Sequence, residues 1–162
     1  MRLNPKTCGY TLIEILMVLF IISIVTSVAL LSMGQNKNKE IESFTQEIVQ
    51  MVRLAEEQAL LQPAVVGLAV NGHALEFSQF QGKAWLPWQD ALFGTYRIPT
   101  GIQVRVKIND QAETNEKNVP PIIISTSGDM TPFTIYVGKV GEAPRYAISG
   151  EADGKITTTS LS

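Results

Sequence analysis

The chain has 162 residues, 45% of them hydrophobic and 17% charged, with a formal net charge of −2, one cysteine and one histidine. That length holds one domain of ordinary size plus a short extra segment, and the slight acidic excess argues against a nucleic-acid partner, which would favour a basic face. A lone Cys8 and a lone His73 leave no material for a disulfide framework or a Cys/His metal site.

Residues 1–9 are a short basic leader carrying Arg2 and Lys6. Behind it, from Thr11 to Met33, Glu14 is the only charged residue. Ser23, Thr26 and Ser27 can return hydrogen bonds to helix carbonyls, so they do not spoil a membrane helix. At 1.5 Å per residue the run reaches about 35 Å, enough to cross a hydrocarbon core of about 30 Å with some tilt. The spacing therefore predicts a single-pass helix over residues 10–34. The run exceeds the ~7–15 residues of an ordinary secretory signal and no small-x-small cleavage site follows it, so it stays in the mature chain. Cys8 precedes the apolar run, whereas a lipoprotein cysteine follows its own. Loss of the leader removes Cys8, and with Arg2 and Lys6 takes the side-chain charge two units lower, to −4.

Glu14 is the informative side chain. A charge at the centre of a membrane helix costs on the order of 2.5–3.5 kcal/mol on insertion scales, and less near the ends. Two readings stand: an interfacial residue near the headgroups, or an acid that meets a cation at its own depth. A cut between Gly9 and Tyr10 would create such a cation, the α-amino group of Tyr10. It would lie one turn from its own Glu14, or level with Glu14 of a neighbouring molecule.

Residues 35–62 carry an amphipathic pattern. Ile41, Phe44, Ile48, Val52, Ala55 and Ala59 recur at intervals of three or four, while Glu42, Gln46, Glu47, Gln50, Arg53, Glu56 and Glu57 take the other faces. No proline falls between Pro5 and Pro63, so both segments can form one helix, with Gly34, Gln35 and Asn36 as a possible joint and Pro63 as the stop. Residues 63–162 change to period two. Residues 64–70 and 75–80 flank an Asn71-Gly72-His73 turn, on which His73 reads as a solvated turn residue. Residues 81–99 form an aromatic-rich irregular connector with two readings for its rings, Trp85, Trp88, Phe93 and Tyr96: they cap the core, or they form a contact surface for a neighbouring subunit. Ile102, Val104, Val106 and Ile108 alternate with Gln103, Arg105 and Lys107 in the cleanest strand. After a polar loop at 109–118, strands are predicted at 122–124, 133–137, 146–148 and 155–159.

The Gly9-Tyr10-Thr11-Leu12-Ile13-Glu14 string before a long apolar helix resembles the class III signal of type IV pilins and pseudopilins. Their pattern is Gly, then Phe-Thr-Leu-Ile/Leu-Glu. Tyr10 replaces the usual Phe, and the proline that kinks many major pilins is missing. Further on, Arg53-Leu54-Ala55-Glu56-Glu57-Gln58-Ala59, Val66-Gly67-Leu68, Ser127-Gly128, Thr131-Pro132-Phe133, Tyr146-Ala147-Ile148 and Gly154-Lys155-Ile156 resemble the H-type pseudopilins of type II secretion and the related FimT/FimU minor pilins.

The resemblance implies a pilin-like α+β fold: one long N-terminal helix, membrane part plus amphipathic part, packed on an antiparallel β domain. It implies that prepilin peptidase cuts after Gly9 and methylates Tyr10. Glu14 then helps dock the subunit among other minor and major pseudopilins, after a period in inner-membrane lipid with the C-terminal domain in the periplasm. The implied role is a minor pseudopilin supporting export of folded proteins across the outer membrane, with no catalytic residues, cofactor, metal or nucleic acid. A minor pilin of a type IV pilus shares the same N-terminal chemistry. A membrane-anchored periplasmic hydrolase or binding module is the reading from another class. Against the hydrolase, the sequence has no G-x-S-x-G, H-E-x-x-H, cysteine pair or phosphate-cradling glycine loop.

Overall fold

The structure, a computed structural model, describes residues 11–88, 93–108 and 119–161, with the backbone alone described over 28–36. Helix α1 spans Leu12–Leu61. It begins where Thr11 supplies a cap. The Thr11 carbonyl accepts the N–H of Glu14 at 3.0 Å and of Ile15 at 3.3 Å, and the Thr11 hydroxyl also accepts from Glu14 N–H at 3.3 Å. The helix stops two residues before Pro63, whose ring disfavours helical geometry in the residue ahead of it. Gly34, Gln35 and Asn36, the possible joint, lie within the helical span.

The chain divides into two compact units, Met1–Glu40 and Ile41–Ser162. In the first, every described side chain from Thr11 to Ser27 is exposed. Thr26 and Ser27 donate to the carbonyls of Ile22 and Ser23 at 2.7 and 2.8 Å, so neither hydroxyl is left unpaired on an apolar helix.

The second unit takes the rest of α1 into its core. Ile41, Phe44, Ile48, Val52, Ala55 and Ala59 are all buried. Thr45 joins them, its hydroxyl donating to the Ile41 carbonyl at 2.7 Å, which is how a polar side chain is tolerated there. The strands are β1 (Val66–Asn71), β2 (Ala74–Gln81), β3 (Ala84–Pro87), β4 (Thr95–Arg97), β5 (Ile102–Ile108), β6 (Ile122–Ile124), β7 (Phe133–Lys139), β8 (Pro144–Gly150) and β9 (Ile156–Ser160). One sheet runs β3-β2-β1-β6, with β4 pairing a separate stretch of β2; the other runs β5-β7-β8-β9. All pairings are antiparallel. Inward residues alternate along β2, at Leu75 and Phe77, and along β7, at Phe133, Ile135 and Val137. The fold is α+β, as the sequence predicts.

Two glycines are dictated by close approach. A Cβ on Gly67 would lie 2.3 Å from Pro120 Cγ, so the Pro120-Pro121 segment can cross β1 only over a bare backbone. A Cβ on Gly150 would lie 2.3 Å from the ring of Phe133, its cross-strand partner. The connector at 81–99 differs from expectation, because β3 and β4 form within it. Gly82, at φ 66°, returns the chain so that Ala84 pairs with Gln81, and β4 pairs with the near end of β2. These strands are four and three residues long and take their partner from another part of the sequence, so no alternation marks them.

Candidate functional site

The segment of greatest chemical consequence is the start of α1 and the apolar surface behind it. Leu12 is 80% exposed, Ile13 65% and Phe20 67%, and Leu16, Met17, Leu19, Ile21, Ile22, Ile24 and Val25 are exposed as well. An apolar surface continuous around a helix requires a cover of lipid or of other apolar helices, since water alone penalises each such side chain. Glu14 is the one charge among the described side chains of this stretch, and it is exposed in the first helical turn. There it completes the Thr-x-x-Glu spacing of a capping box, and its carboxylate lies at the positive end of the helix dipole. Thr11 is a capping residue that the membrane pattern does not single out, although its spacing to Glu14 is visible in the sequence.

Gly9 and Tyr10 lie outside the described residues, as does the polar loop at 109–118. Among the described residues no helix is long and apolar enough to cross a membrane. The described side chains of the apolar run end at Ser27, whereas the run itself continues in sequence to Met33.

In the second unit, polar and aromatic groups hold the connector to the helix. Tyr96 stacks on Phe44 with ring centroids 5.9 Å apart and planes at 12°, and its hydroxyl donates to Glu47 across a sequence separation of 49. That hydrogen bond, then burial and the Glu47 charge, push the Tyr96 phenol up to about 12. Trp88 stacks on Phe93 at 4.4 Å, and Phe93 meets Phe77 edge-on at 5.7 Å. Phe93 is buried, so these rings cap the core. On the other side Glu56 packs beside two turns. Its Oε1 would be 2.6 Å from a Cβ at Gly154 (φ 85°) and 3.7 Å from one at Gly128 (φ 89°). Burial, then the Glu57 charge, raises the Glu56 carboxyl, with Arg53 opposing them.

A cleft of about 680 Å³ opens where β1, β2 and β5 meet, walled by Val104, Val106, Ile108, Trp85, Trp88 and Pro120, with Glu76 and Arg105 at its polar positions. Asn71 ties Glu76 down by a 2.6 Å hydrogen bond. Such walls can bind an apolar surface; Ser78 also lines the cleft, and its hydroxyl donates to the Gly67 carbonyl at 3.5 Å. His73 is exposed on its turn. Among the described residues no group of three or more His, Cys, Asp or Glu side chains could hold a metal ion.

Residues 4–30 match the model of the prokaryotic N-terminal methylation motif, and residues 45–154 match that of type II transport protein GspH. Type II secretion system protein H of Aeromonas hydrophila is 24% identical over 165 residues, an alignment that covers 91% of this chain and 90% of that one. The protein of the same description from Pseudomonas aeruginosa is 26% identical, covering 90% and 91%. Among solved structures, the minor pseudopilin EpsH from the type 2 secretion system of Vibrio cholerae superposes with a TM-score of 0.67 at 21% identity, covering 75% of this chain and 96% of that one.

Proposed function

The chain belongs to the GspH family of type II transport proteins, and from that premise we propose that it is a minor pseudopilin, a structural subunit of the type II secretion pseudopilus. The observation that carries the reading is one helix with two uses. Its first part is apolar on every described face with a single acid at the start, and its second part is buried in a β domain by one stripe. The first requires a cover from outside the chain, whereas the second supplies its own. On this reading the chain carries out no chemistry of its own and serves as the substrate of prepilin peptidase.

The peptidase cuts after Gly9 and methylates the new amine of Tyr10. Before assembly the apolar helix sits in inner-membrane lipid with the C-terminal domain in the periplasm. An unpaired carboxylate is costly there, even near the helix end, and the helix dipole offsets only about 0.3–1 kcal/mol of that cost. Packing among the helices of other minor and major pseudopilins brings Glu14 level with an N-terminal amine, and the pair is then worth more than the two separated charges. Release from that cost biases the subunit toward the assembled register.

Gly9→Ala should leave the leader attached, seen by mass spectrometry as a mass that does not fall, and should stop assembly. Glu14→Gln keeps much of the side chain's hydrogen bonding while deleting its charge. It should be processed normally yet recovered poorly in sheared pseudopili. Normal incorporation of the Gln variant would falsify the charge pairing while leaving family membership untouched. Deletion should abolish secretion of folded exoproteins and spare twitching, which separates this role from that of a pilus subunit.

A further inference from the structure

A strand at the edge of a sheet offers unpaired N–H and C=O groups to any other strand, and chains blunt such edges with charges, prolines or brevity. This protein does so at three of its edges. β3 is four residues long and ends in Pro87, β6 is three residues long behind Pro120-Pro121, and β5 carries Arg105 and Lys107. β9 is different. It closes one side of the β5-β7-β8-β9 sheet, and among the described residues no strand pairs with its outer edge. Its sequence, Ile156-Thr157-Thr158-Thr159-Ser160, contains neither charge nor proline, and its register with β8 is unbroken. Every residue of it except Ile156 is exposed.

The ladder fixes which groups face outward. Glu151 N–H donates to the Lys155 carbonyl at 2.9 Å, and Leu161 N–H donates to the Arg145 carbonyl at 2.6 Å. Alternation along an antiparallel pair then directs the backbone groups of Thr157 and Thr159 toward β8, and those of Ile156, Thr158 and Ser160 away from the sheet.

We propose that this outer edge of β9 pairs antiparallel with the β9 of a second copy of the chain, on a twofold axis through Thr158. In that register Thr158 faces Thr158 of the other copy, Ile156 faces Ser160, and Thr157 faces Thr159. The three outward N–H groups of each copy donate to the three outward carbonyls of the other. The occupant is argued from the strand itself. Its Thr-Thr-Thr centre reads the same in both directions, so self-pairing sets β-branched hydroxyl side chains against one another. No like charges meet within the paired strands, and one sheet then runs through both copies. Only a strip of surface is covered, so the association is weak and depends on concentration.

Disulfide trapping in the full chain, in detergent and with Cys8 replaced by Ser, tests the register. The twofold places the two Thr158 Cα atoms about 5.5 Å apart, inside the roughly 4.4–6.8 Å that a disulfide spans. Two Thr157 positions lie out of register and beyond that span. Under mild oxidation Thr158→Cys should give a covalent dimer, and Thr157→Cys several-fold less. Thr158→Lys sets two like charges on the axis. It should lower the dimer fraction in sedimentation several-fold, while its circular dichroism matches wild type because the Thr158 backbone groups do not bond β8. Equal trapping at 157 and 158 overturns the proposal, as does a Lys variant that associates as well as wild type. A Thr158→Cys variant that is trapped in cells only to a different subunit overturns it too.

Discussion

The contact between Tyr96 and Glu47 shows how one pair of side chains fastens a connector to a helix. Because the phenol donates to a carboxylate, its neutral form is favoured and its titration rises to about 12. A raised phenol contributes stability that is complete below its ordinary range near 10 and is lost as pH climbs through about 12. In an absorbance titration Tyr96 should ionise late, and Tyr96→Phe should remove that late component. The same variant should lose about 1 kcal/mol, the scale of a partly exposed hydrogen bond to a charged group, because the stacking on Phe44 remains. Glu56 follows the same sign in the carboxylate range. Burial raises its carboxyl, so the folded chain holds that proton more tightly than the unfolded chain does. Its contribution therefore favours folding in acid and fades as pH rises through its titration. Glu56→Gln should flatten that slope: melting temperatures of variant and wild type should converge near pH 4 and separate in the variant's favour toward pH 8. Gly67 makes a third residue-scale case. Gly67→Ala must displace Pro120, and overpacking of this kind costs roughly 1–3 kcal/mol.

At the scale of elements, burial along α1 follows the periodicity of the sequence. The six stripe residues read from intervals of three and four are all buried, while Leu54 and Leu61, off that stripe, are exposed. The signal was strong because one face of the helix meets a sheet and the others meet solvent, so hydrophobicity and position coincide. Phe44→Ala should cost roughly 3–5 kcal/mol by chemical denaturation, while Leu54→Ala should cost under about 0.5 kcal/mol. A smaller gap would mean that the stripe does not carry the packing. β5, β7, β8 and β9 were legible for a related reason, since their alternation or their flanking glycines marked them. β3 and β4 were not, because a strand of three or four residues is created by its partner rather than by its own composition. The site divides the same way. Glu14 stood out as one acid in an apolar run, whereas the Thr11 cap was missed, because the apolar run dominates that stretch and the Thr-x-x-Glu spacing was passed over. The Tyr96–Glu47 bond and the Pro120 crossing over Gly67 join residues far apart in sequence, so no local pattern announces them.

At the scale of the molecule, the division between Met1–Glu40 and Ile41–Ser162 separates two solutions to one problem, apolar surface in water. Every residue of the buried core cluster lies at or beyond Ile41, and the dense run of exposed apolar side chains lies between Leu12 and Val25. If the first unit exists to be covered by lipid or by other helices, its removal should not touch the core of the second. A chain started at Lys37 keeps one helical turn ahead of Ile41, together with the 2.9 Å Lys37–Glu40 ion pair. Such a chain should be soluble without detergent and unfold in one cooperative thermal transition, as a domain of about 125 residues with a single core does. The full chain should need detergent or bilayer at the same concentration. Should the shortened chain instead melt gradually, or aggregate as readily as the full one, the core would depend on the first forty residues. The helix would then have to be understood as one structural member rather than as a bearer of two separate surfaces.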